Sequence, residues 1–142
     1  MYYTISNVIA SVLCFIGIFL GFYYNIRGDK YKGISLFAQI AIIPMAINAF
    51  ITHTFFRGNV IKSQPFFEIE AGGANLGIGI SLIVLSILKV PINAIAGVLL
   101  VYAIYLTVAM ICSYIYISKQ RSLKFIPILV VLYYFSILGL ID

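Results

Sequence analysis

The residues able to do chemistry gather around one stretch of the chain. The single histidine, His53, stands four positions before Arg57. Glu68, Glu70 and Asn75 follow within Pro65-Phe66-Phe67-Glu68-Ile69-Glu70-Ala71-Gly72-Gly73-Ala74-Asn75-Leu76-Gly77-Ile78-Gly79. Histidine titrates near neutrality, so a carboxylate–histidine pair could take up and release protons. The same pair could serve as general acid and base on a bound substrate. One histidine and two carboxylates without close ligand spacing make a thin donor set, so no metal is expected. No cofactor is indicated.

The elements that must position these residues follow from composition. The chain of 142 residues is 63% hydrophobic and 9% charged, where a soluble domain carries about 25% charged residues. Its apolar runs reach about 20 residues, enough to cross the hydrocarbon layer as helices. Backbone groups in lipid must be satisfied internally, which leaves helices or a closed barrel. The runs are continuous and not alternating, so helices are expected. The expected fold is all-α: one polytopic transmembrane domain over 1–142, with spans near 5–24, 34–56, 66–88, 92–117 and 123–141. Four spans with a re-entrant 66–79 segment form the alternative. No cation precedes Arg27 and no small-residue cleavage pattern closes the first run, so it reads as a span and not as a signal peptide. Pro91 opens the fourth span, which should form a tight hairpin with the third. Pro44 and Pro127 fall inside expected spans, where kinks are tolerated. Cys14 and Cys112 lie mid-run and read as small apolar packing residues.

The loop charges divide five against four between the two membrane sides, which leaves the orientation undecided by the positive-inside rule. A formal net charge of +5 suits anionic lipid headgroups. Membrane lipids are therefore expected partners, and nothing points to nucleic acid. A second copy of the chain is a further candidate partner, because a near-zero charge bias is what an antiparallel dual-topology dimer would show.

At 100° per residue, the third span carries two polar or small stripes. Glu70, Gly73, Ala74, Gly77 and Ser81 share one; Glu68, Gly72, Asn75, Gly79 and Ser86 share nearly the opposite one. Small residues four apart let helix backbones approach closely. A helix lined this way on both sides should be central in the bundle. The first span has its own stripe of Ala10, Cys14, Gly17 and Gly21, expected to pack on another helix, with the third span as the candidate.

Topology brings the polar groups to one end. His53 and Arg57 close the second span; Glu68, Glu70 and Asn75 open the third; Tyr105, Tyr114 and Tyr116 lie on the returning fourth. A buried Glu70 would need Arg57, His53 or a tyrosine hydroxyl to satisfy it. Three readings compete. The glutamates could sit solvated or ion-paired at the interface, as parts of a structural subunit of a membrane complex. They could line a polar pocket around His53 and Glu70 that binds or transports a small molecule, lipid or ion. They could supply acid and base to an intramembrane enzyme. The pocket is the preferred reading. The tyrosines are first of all interfacial belt residues.

His53-Thr54-Phe55-Phe56, Pro65-Phe66 and Glu70-Ala71-Gly72-Gly73-Ala74-Asn75-Leu76-Gly77 resemble a family of small prokaryotic integral membrane proteins classed only as a domain of unknown function. That family shows a His-x-Phe end to its second span and a Pro-Phe lead-in to Glu-Val-Gly-x-Ala-Asn-Leu. The resemblance covers about 25 residues of the chain and picks out His53, Pro65, Phe66, Glu70, Gly72, Asn75 and Leu76. It gives Glu68 no counterpart, and Ser113-Tyr114 stands where a late fourth-span histidine would be expected. More remotely, a glutamate followed by glycine and leucine early in a span is similar to the DoxX-like membrane proteins. The resemblance implies a prokaryotic cell membrane and no particular activity.

Overall fold

The structure, a computed structural model, describes residues 2–56, 65–116 and 119–141. Every regular element among them is helical, so the fold is all-α. Four helices are long and apolar enough to cross a membrane: Ile5–Ile26, Lys30–Phe55, Glu68–Ile87 and Ile92–Ile115. The chain divides into two compact units, Met1–Val90 and Pro91–Asp142.

The first unit begins with α1, Tyr2–Ile26. Gly28 ends it at φ 83°, a left-handed conformation that only glycine adopts without a steric cost. The amide of Gly28 donates to the Asn25 carbonyl and that of Asp29 to the Tyr24 carbonyl, both at 3.0 Å. These are the paired bonds of a Schellman helix end. Asp29 at once caps the next helix, its Oδ1 accepting from the Lys32 amide at 3.0 Å. The chain therefore becomes helical at Lys30, earlier than the sequence pattern implies. Arg27 and Lys32 fold back over the Tyr23 and Tyr24 rings at 4.5 and 4.1 Å, which holds their charges at the end of the helix.

The second span runs through α2 (Lys30–Leu36), a π-helical segment (Phe37–Ile42) and α3 (Ile43–Phe55). Pro44 accounts for the π segment. Proline lacks an N–H and its ring crowds the carbonyl four residues earlier, and widening the preceding turns relieves that clash. The expected kink is thus taken up as a six-residue change of helical pitch.

The small stripe of α1 packs against this second span and not against the third. A Cβ on Gly17 would lie 2.5 Å from the Ala41 backbone nitrogen, and one on Gly33 would lie 2.6 Å from the Gly21 carbonyl oxygen. Ala10, Gly17 and Gly21 are buried because only small residues allow backbones this close. The π segment carries much of the unit's core, with Phe37, Ala38, Ala41 and Ile42 all fully buried.

The third span is α4, Pro65–Ile87, one uninterrupted helix; its first half is not re-entrant. It packs on α3, with Ala71 and Leu82 buried. Lys89 then turns the chain at φ 50°.

In the second unit, α5 (Ile92–Tyr116) packs on α7 (Ile126–Leu140), with the short α6 (Lys119–Leu123) between them in sequence. Its core holds Leu99, Tyr102, Leu132 and Phe135. The Thr107 and Tyr133 hydroxyls bond across the helices at 3.0 Å. The expected fifth span is interrupted before α7. Pro127 occupies the first turn of α7, where its missing N–H costs nothing, instead of kinking the interior. Fifteen residues of α7 extend about 22 Å, short of the roughly 30 Å hydrocarbon layer.

Candidate functional site

The α3–α4 packing decides which stripe of α4 faces inward. Glu68, Gly72, Asn75 and Gly79 are buried. Glu70, Gly73, Ala74, Gly77 and Ser81 are exposed. A Cβ on Gly72 would lie 2.9 Å from Thr54 Oγ1 and 3.4 Å from the His53 Cβ, and one on Gly79 would lie 3.6 Å from the Ala46 Cβ. A Cβ on Gly73 or Gly77 meets nothing within 4 Å among the described residues. The Gly73–Gly77 pair therefore takes no part in packing within this unit.

This corrects the pairing of His53 with Glu70. The two glutamates are two positions apart, or about 200° around a helix, so burying one turns the other out. Glu68 is fully buried, with none of its surface exposed, and its carboxylate acts electrostatically on the His53 ring. The helix supports that burial: Glu68 stands in the first turn of α4, where the N-terminal end of the helix dipole favours negative charge. Glu70 carries its charge on the opposite, open side.

Around this pair the sequence reading overlooked two threonines. Thr52 is 8% exposed, and Thr54 lies against Gly72. Thr52 Oγ1 and His53 Nδ1 are buried and have no hydrogen-bond partner among the described residues. Such unsatisfied groups are rare and call for an explanation. Asn75, 3% exposed, donates to the Ala71 carbonyl at 2.7 Å, which ties its amide to its own helix. A histidine, a carboxylate and two hydroxyls thus share one apolar helix interface. The threonines were legible as polar residues flanking His53; burial made them notable.

Arg57 and the Tyr116 side chain fall outside the described residues, as does the loop over 57–64. Tyr105, in the second unit, is half-buried and stacks on Tyr102 with ring centroids 6.3 Å apart. Tyr114 is 48% exposed, with the Lys119 ammonium 5.8 Å from its ring centre. Cys14 and Cys112 are free thiols. Among the described residues no three His, Cys, Asp or Glu side chains gather closely enough to hold a metal ion.

A second polar group, also overlooked, joins α1 to α3. Ser6 Oγ donates to Asn48 Oδ1 at 2.8 Å, and Asn48 Nδ2 donates to Asn7 Oδ1 at 2.8 Å. It explains how two asparagines are tolerated in apolar helices: each satisfies part of the other.

No known family, no curated protein and no solved structure matches this chain.

Proposed function

We propose that this protein is a multi-pass membrane protein, of a prokaryotic cell membrane, that binds a small polar solute or ion at the Thr52–His53–Glu68 group. The observation that carries this reading is a fully buried carboxylate beside a histidine whose buried Nδ1 has no hydrogen-bond partner among the described residues. A purely structural helix interface gains nothing from an unpaired ring nitrogen and hydroxyl in an apolar site, where each costs about 1–3 kcal/mol. A bound solute, or a proton exchanged with Glu68, satisfies them. Binding coupled to proton movement is the form of transport this donor and acceptor set supports.

Reconstitution into proteoliposomes with an internal pH dye tests it, under a potassium diffusion potential. The wild-type protein is expected to pass protons, alone or with added solutes, and Glu68→Gln to abolish the flux while far-UV circular dichroism stays unchanged. Glu70→Gln should leave the flux intact. Equal flux in wild type and Glu68→Gln would remove the basis of the reading.

A further inference from the structure

Away from the His53–Glu68 group, α1 and α3 enclose a half-open cavity of about 210 Å³. Asn7, Ser11 and Asn48 line its polar part; Cys14, Phe15 and Met45 line its apolar part. The polar residues lie nearer the helix ends Tyr2 and Phe55, and the apolar ones lie deeper along both helices. The cavity is therefore amphipathic along the direction in which a lipid is amphipathic.

Its hydrogen bonding specifies what it takes. The chain of donors runs from Ser6 to Asn48 to Asn7. It ends at Asn7, whose Oδ1 is used as an acceptor and whose Nδ2 donates to nothing among the described residues. Ser11 spends its proton on the Asn7 carbonyl at 2.7 Å. The cavity thus offers an unused N–H donor and no charge, which fits an acceptor such as a carbonyl. The depth agrees. The 25 residues of α1 span about 37 Å, so Asn7 sits within roughly one turn of the edge of a 30 Å hydrocarbon layer, where ester carbonyls of lipids lie. The volume exceeds the ~150 Å³ that accommodates benzene, which is room for a carbonyl and the first carbons of one chain. Beyond the mouth, Val8, Val12, Phe15 and Phe19 form an exposed ridge on α1, with Phe15 75% exposed, along which the remaining chain would lie.

We infer that the α1–α3 cavity is a binding site for a carbonyl-capped acyl chain, held by Asn7 Nδ2. Membrane glycerolipids and free fatty acids share this chemistry.

Photo-crosslinking of the full chain in nanodiscs tests the site. Three probes carry a diazirine in the chain: a diester phosphatidylcholine, its diether counterpart without carbonyls, and a free fatty acid. Peptide mapping is expected to place carbonyl-probe adducts on residues 7–15 and 45–48. The diether probe should label there about tenfold less, the effect of one hydrogen bond in a water-poor site. Asn7→Leu should abolish the preference. Ser11→Phe, at an exposed position on the cavity wall, should block labelling by all three probes even if Asn7→Leu does not fold. Preferred diester labelling identifies lipid as the source, and preferred fatty acid labelling identifies the free acid. Equal ester and ether labelling, or labelling unaffected by Ser11→Phe, overturns the proposal.

Discussion

Replacing Gly17 by alanine should destabilise the protein, while the same change at Gly77 should not. An alanine Cβ at position 17 would sit 2.5 Å from the Ala41 nitrogen, 2.7 Å from the Ala41 Cβ and 3.0 Å from its Cα. Ordinary contacts begin near 3.4 Å, so α1 and the π segment must part by almost 1 Å. None of these atoms can rotate away, because they belong to the backbone or to its first side-chain carbon. Overpacking of this kind costs about 1–3 kcal/mol, and the helix preference of alanine returns up to about 1 kcal/mol. At position 77 nothing lies within 4 Å of the new Cβ among the described residues, so only the favourable part remains. The helix-preference gain is common to both, so the two variants should differ by the overpacking cost, about 1–3 kcal/mol. The chain has no tryptophan, so the assay is far-UV circular dichroism during titration of mixed micelles with sodium dodecyl sulfate. Equal midpoints would refute the close α1–π packing. A loss confined to Gly77→Ala would mean that the open face of α4 is occupied in the assembled protein.

Three further outcomes are expected in the same titration. Lys89→Gly should stabilise by about 1 kcal/mol, since Lys89 holds φ 50°, a left-handed conformation that costs a side-chain-bearing residue about that much; a destabilised variant would contradict it. Asp29→Ala should cost about 1 kcal/mol, typical of a lost N-cap, because the Lys32 amide loses its partner at 3.0 Å, and a variant matching wild type would show that water replaces the cap. Tyr133→Phe should cost roughly 0.6–1 kcal/mol through the 3.0 Å bond to Thr107, and a double change with Thr107→Val that proves additive would remove that bond from the account.

Helical class and the approximate limits of the apolar helices were legible because lipid imposes them. A chain with 9% charge cannot solvate a surface, and continuous apolar runs have no other way to satisfy their backbone. The two stripes of α4 were equally legible, because helical period alone dictates which residues share a face. Period does not say which face is covered. Both stripes of α4 offer small residues and a carboxylate, so the choice depended on what α3 presents: Thr54 and the His53 Cβ against Gly72, Ala46 against Gly79. That contact put Glu68, and not Glu70, beside His53. The same holds for α1, whose small stripe required a close partner without naming it. The partner became the second span because its π segment, set up by Pro44, brings Ala41 against Gly17. The amide chain from Ser6 through Asn48 to Asn7 joins residues 42 and 41 positions apart, a distance across which local pattern carries no information. Sequence determined the solvent this protein was built for and the phase of each helix; tertiary packing decided which of two equivalent faces became an interior, and therefore which polar groups are enclosed.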